Sequence, residues 1–141
     1  MSAARLLLVT AAAHAAAHAA ESGADAARVV ALSNDADPLA HAAEIAVAAR
    51  VELHFPAFTD GRAYSQAWLI RRRLGFAGDL RATGEVLVDQ LQQMERVGFS
   101  SAVLADGADI DHARRQLERF ASFYQGDAVR PAPYRAKTPA R

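Results

Sequence analysis

Cysteine is absent from the 141 residues, which excludes structural disulfides, thiolate nucleophiles, cysteine-ligated zinc and cysteine-held iron–sulfur clusters together. Redox chemistry would need a borrowed cofactor or partner. Lysine is nearly absent, with Lys137 alone near the C-terminus, so Schiff-base chemistry in the folded body is excluded as well. Net charge is missing too: 16 basic and 16 acidic residues cancel, and no overall field favours nucleic acid or an anionic membrane. No run reaches the roughly 18 apolar residues of a membrane span. Neither a dinucleotide glycine fingerprint, a phosphate loop nor a nucleophile-elbow serine occurs. No cofactor is implied.

What remains is a chain with 52% hydrophobic residues, enough to bury one core, so a single domain is expected. Arg5, the apolar run from Leu6 and the small residues around Ala13 to Ala20 imitate a signal peptide. His14 and His18 interrupt that run. The alternative is a first strand at Leu6 to Thr10 leading into an alanine-rich helix that stops near Ser22-Gly23, with the cytoplasm as the expected compartment.

Past residue 27, short β-rich runs alternate with helical patterns. Strands are expected at 28–32, 51–55, 79–83 and 101–104, with helices at 63–74, 85–97 and 109–124. Ser33 to Pro38 reads as a turn that caps a helix, and Asp106-Gly107-Ala108-Asp109 as another. Leu74-Gly75-Phe76 recurs as Val97-Gly98-Phe99, and Gly84 as Gly107, both at an offset of 23 residues. Tandem strand–helix units imply right-handed crossovers. The fold class is therefore α/β: a parallel sheet of about five strands flanked by helices, a three-layer sandwich over residues 1–125. A barrel fragment completed by a second copy is the competing geometry, so a homodimer is compatible with the sequence. Residues 126–141 form a basic, proline-bearing tail without apolar periodicity, expected to be disordered or lightly docked.

The densest chemistry is Phe55-Pro56-Ala57-Phe58-Thr59-Asp60-Gly61-Arg62-Ala63-Tyr64-Ser65, where a strand ends and a helix begins. Such a junction presents unpaired N–H donors and a partial positive charge. An arginine in a first helical turn opposes the macrodipole by roughly 0.3 to 1 kcal/mol, which suggests a shared negative ligand. On this reading Thr59 or Asp60 caps the helix, Gly61 lets the backbone turn closely, and Arg62, joined by Arg81, reaches toward sulfite, sulfate, phosphate or a carboxylate. The competing reading is a structural Asp60–Arg62 pair holding a tight turn.

That motif, followed by Arg72-Arg73-Leu74-Gly75-Phe76, Gly78-Asp79-Leu80-Arg81-Ala82-Thr83-Gly84, Asp89-Gln90 and Gly98-Phe99, resembles the bacterial domain-of-unknown-function family 934 over residues 28 to 125. The resemblance implies an accessory role in assimilatory sulfate or sulfite reduction, with sulfite reductase or its electron donor as partner. It carries no mechanism. Many members have a cysteine where this chain has Val97, so a thiol there is not an essential group here. The candidate ligand-binding set is Thr59, Asp60, Gly61, Arg62, Tyr64, Ser65, Arg81, Asp89 and Gln90. A small-oxyanion enzyme or sensor is the alternative function.

Strand alternation supplies a second constellation. Val51, Leu53 and Phe55 point one way, Glu52 and His54 the other, and Arg81 lies on the next strand. Both faces of a parallel sheet are covered, so Glu52, His54 and Arg81 are expected in a poorly solvated layer. The candidate catalytic groups are accordingly His54, as a proton carrier tuned by Glu52, and Asp60; the competing reading is a satisfied structural network. Asp89 is expected to pair with Arg81 or Arg62. His14 and His18 have the i, i+4 spacing of a metal-binding helix face, but no glutamate follows the first histidine as in a zinc peptidase, and no metal is assigned. Arg71 to Arg73 read as a solvated helix face.

Overall fold

The computed structural model describes residues 6–20, 28–57, 61–105 and 107–119. Five strands, β1 (Leu7–Thr10), β2 (Val29–Leu32), β3 (Arg50–Phe55), β4 (Asp79–Gly84) and β5 (Ser101–Leu104), form one parallel sheet in the order β1-β5-β4-β3-β2. Among the described residues five helices accompany them: α1 (Ala11–Ala20), α2 (Ala42–Ala46), α3 (Arg62–Arg72), α4 (Leu91–Val97) and α5 (Ile110–Arg119), with 3-10 turns at Pro38–His41 and Val88–Gln90. From β1 at one edge the chain passes to β2 at the other and returns strand by strand. A barrel segment would place β1 beside β2, so the open sandwich is the architecture.

The two sheet faces differ in chemistry. Val51, Leu53 and Phe55 of β3, Leu80 and Ala82 of β4, and Ala102 and Leu104 of β5 form an apolar face that meets Ala63, Ala67 and Ile70 of α3, Leu91 and Met94 of α4, and Ala113 and Leu117 of α5. The register sets Val51 beside Leu80 and Leu53 beside Ala82. Complete burial of such side chains removes about 25 cal/mol per Å² of apolar surface from water and supplies the main driving force for folding. The opposite face carries Arg50, Glu52, His54, Asp79, Arg81 and Ser101, and α1 crosses it. Two helical layers of unequal size thus flank the sheet.

Local chemistry accounts for the element boundaries. Thr10 Oγ1 accepts the Ala13 N–H at the start of α1, and Asp37 caps the turn that begins with Pro38. Asp109 accepts the His112 N–H at the start of α5. The helix expected at 85–97 begins only at Leu91. Gly84 has φ +88°, Leu87 is extended, and the Glu85 N–H is held by the Phe55 carbonyl at 2.8 Å, so 85–87 runs over the end of β3 before helical bonding starts. Leu87 consequently stays exposed although Val86 is buried.

The repeated glycines Gly75, Gly84, Gly98 and Gly107 are the positive-φ residues among those described, so the sequence repeat is a repeat of backbone geometry. Arg71 joins the turns at Gly75 and Gly98. Its Nε donates to Gly98 O at 2.8 Å, and its Nη1 donates to Phe76 O at 2.9 Å and Gly78 O at 2.8 Å, with the guanidinium over the Phe76 ring. Arg72 and Arg73 are exposed, but Arg71 is a half-buried clamp and not part of a solvated face.

Candidate functional site

The junction between β3 and α3 is described from Gly61 onward, and Thr59 and Asp60 lie outside the described residues. Gly61 is the N-cap of α3, and Arg62 is its exposed first residue. Asp35, in the loop after β2, has its carboxyl held below the usual range by the Ser33 hydroxyl and a backbone N–H, with Arg62 adding to the effect. Gln66 ties α3 to that loop by donating to Ser33 O and Ala36 O, both at 2.8 Å. Tyr64 stacks edge-on against Phe55 with centroids 5.1 Å apart, and its buried hydroxyl has no hydrogen-bond partner among the described residues. Burial pushes its phenol up. Ser65 faces solvent on the same side of α3 as Trp68, which is 42% exposed and has the Arg72 guanidinium 5.0 Å from its ring centroid.

The other candidates are elsewhere. Arg81 lies on the polar sheet face, whereas α3 packs on the apolar one, so Arg62 and Arg81 do not converge. Asp89 sits on the exposed turn after Leu87, along an open cleft of about 390 Å³ shared with Gln92, His112 and Gln116. It does not meet Arg81, whose partners are Ser101, His14 and Asp79. Gln90 Oε1 accepts the Leu87 N–H at 3.2 Å and belongs to the turn itself.

Glu52 and Arg81 are register partners on adjacent strands and do form the expected poorly solvated layer, but α1 completes it instead of His54. Glu52 accepts from Arg50 Nε at 2.7 Å and lies 2.9 Å from His18 Nε2 and 4.0 Å from His14 Nε2. Arg81 donates to Ser101 Oγ at 2.9 Å, His14 Nδ1 at 3.0 Å and Asp79 Oδ2 at 3.2 Å, and Asp79 also accepts from the Ser100 and Ser101 hydroxyls. His54 is exposed at the upper end of the same face, beside Gly84, where a Cβ would meet its ring at 2.8 Å. Its proposed partner Glu52 is thus committed to Arg50 and His18.

The charge states follow from these contacts. Burial pushes the Glu52 carboxyl up, but hydrogen bonds from His18 and Arg50 outweigh it and hold the group below its ordinary range. Burial lowers His14, and although Glu52 opposes this, His18, Arg81 and Arg50 push the same way as burial. Because guanidinium can only donate, His14 Nδ1 is the acceptor and Nε2 carries the ring proton toward Glu52. His14, His18 and Arg50 are the site residues that the sequence reading failed to combine. The i, i+4 histidine spacing was the available signal; the carboxylate it faces comes 34 residues after His18, from another strand.

None of the curated proteins and none of the solved structures compared with the chain matches it. No helix among the described residues is long and apolar enough to cross a membrane. A family profile described as "Bacterial protein of unknown function (DUF934)" matches residues 29–135, which include β2 to β5 and leave β1 and α1 outside the matched range. Spanning well over half of the chain, this match makes the protein a member of the DUF934 family.

Proposed function

We propose that the protein is an accessory protein of assimilatory sulfate or sulfite reduction that docks on sulfite reductase or its electron donor. The pathway rests on the resemblance of the Phe55 to Ser65 motif. The observation that supports docking is the outward face of α3, where Trp68 and Arg72 stack and Arg62 and Arg73 are also exposed. No acidic residue occurs between Gly61 and Gly78, so an acidic partner surface is complementary. Tryptophan and arginine are the residue types enriched at interface hot spots, where truncation costs about 2 kcal/mol or more.

Trp68 is the chain's single tryptophan and reports directly on that face. Titration with purified sulfite reductase, and separately with its electron donor, is expected to shift Trp68 fluorescence, and Trp68→Ala or Arg72→Ala to weaken binding measured calorimetrically by about thirtyfold. Absence of binding to either protein would overturn the reading.

A second reading, a small-oxyanion enzyme or sensor, is favoured by Arg62 at the start of α3 with a glycine N-cap that has no side-chain oxygen to offer. Under it, Arg62→Ala lowers affinity for sulfite, sulfate or phosphate by about tenfold to a hundredfold, and Arg62→Lys recovers only part. Equal anion affinities with a large drop in melting temperature would make Arg62 a structural clamp instead.

A further inference from the structure

Helix α1 is ten residues of alanine interrupted only by His14 and His18, and it buries no residue of its own. An amphipathic helix normally holds its place by an apolar stripe, worth several times more than its intrinsic propensity. This one meets the sheet through two imidazoles directed at a carboxylate. Three ligand atoms, one each from His14, His18 and Glu52, lie within 4.8 Å of one another. The Glu52 carboxylate is 2.9 Å from His18 Nε2 and 4.0 Å from His14 Nε2. Ligands bound at about 2.0 to 2.2 Å around one tetrahedral ion are a little over 3 Å apart, so small adjustments bring these three to a common centre.

We propose that His14, His18 and Glu52 form a divalent transition-metal site that fastens α1 across the polar face of the sheet. The carboxylate missing from the helix sequence is supplied by β3. Glu52 is 7% exposed at its side chain and oriented by Arg50, the supporting contact that ligating carboxylates commonly have, while His18 is 45% exposed and leaves the ion open to water on one side. The two imidazole ligands select zinc, nickel or copper over magnesium or calcium.

The neighbouring cations set the affinity. Arg50 and Arg81 balance Glu52 and Asp79, so an incoming dication adds its charge to a neutral cluster. Ligation through Nε2 moves the ring proton of both His14 and His18 to Nδ1; at His14 Arg81 vacates that nitrogen while keeping Ser101 and Asp79 as partners. Both effects weaken binding, toward micromolar affinity and not the tighter values of closed structural zinc sites.

The test uses the full chain freed of metal, with zinc chloride in a calorimeter and cobalt(II) followed by visible absorption. One equivalent is expected to bind, with a ligand-field cobalt spectrum and shifts in the side-chain nitrogen resonances of His14 and His18. His14→Ala, His18→Ala and Glu52→Gln are each expected to weaken zinc binding by more than about tenfold. The triple variant His41→Ala, His54→Ala, His112→Ala, which removes the remaining histidines, is expected to bind as the parent does. No stoichiometric binding at millimolar zinc overturns the site. So does binding that survives loss of His14 and His18, or resonance shifts confined to the other histidines, whether or not the cluster variants change thermal stability.

Discussion

Arg71 and Arg72 are neighbours in sequence with opposite structural situations, and they make a matched test. Arg71 saturates three backbone carbonyls, Gly98 O, Phe76 O and Gly78 O, in the two turns that lead into β5 and β4. Hydrogen bonds from a charged donor contribute roughly 1.5 to 3 kcal/mol each when deleted singly, but three on one group are not additive and water reaches part of this site. A loss of about 3 to 4 kcal/mol is therefore expected for Arg71→Ala, including a minor share from the cation–π contact with Phe76. That is a large fraction of the typical 5 to 15 kcal/mol stability of a domain. At about 3 to 5 °C per kcal/mol for this size, the melting temperature should fall by roughly 9 to 20 °C. Arg71→Lys should recover about a third, since one ammonium cannot span carbonyls arranged for a planar fork. Arg72→Ala should cost less than about 0.5 kcal/mol as an exposed substitution. Urea unfolding of the three variants at fixed pH decides the matter, and similar losses at both positions would refute the clamp.

Gly84→Ala is expected to destabilise by about 2 to 4 kcal/mol, because φ is +88° and the added methyl meets the Phe55 carbonyl and the His54 ring; a melt within about 2 °C of the parent would contradict it. Tyr64→Phe removes a buried hydroxyl that has no partner among the described residues and should raise stability by about 1 kcal/mol in urea titrations. Because the folded-state Tyr64 phenol is raised above its usual value, its contribution to stability is complete below about pH 10 and is lost as pH rises from there through the folded value. The alkaline decline should be shallower in Tyr64→Phe, and an unchanged pH profile would rule out this source. Ile70→Ala, fully buried between α3 and the sheet, should cost about 2 to 5 kcal/mol by thermal melt.

Most of the strand and helix positions were readable because their determinants are local: alternation in Val51 to Phe55, the Asp37-Pro38 cap, and glycines that end one unit and open the next. The displaced start of α4 was not readable, since the departure depends on the Phe55 carbonyl capturing the Glu85 N–H from another strand. Alternation correctly put Glu52, His54 and Arg81 on one face. It could not say which of them would be covered, because coverage is set by the path of α1 from one sheet edge toward the other. Arg71 was misread for a similar reason: its carbonyl partners include Gly98, 27 residues away.

The placement of β1 also governs how the chain assembles. Among the described residues β1 pairs only with β5, a partner 94 residues later, whereas β2 to β5 pair with their sequence neighbours through short crossovers. Closure of so long a loop gains its contacts last, so the β2–β5 unit can condense first and receive β1 as a final edge strand. In the native state the same asymmetry runs in reverse. Opening at the β1–β5 seam releases four paired residues and the Leu6 N–H bond to Glu95, and α1 follows once its contacts to Glu52 and Arg81 also break, while the remaining ladder stays intact. Native-state hydrogen exchange should therefore resolve two cooperative units, with the β1 amides exchanging at a lower free energy than those of β3 and β4.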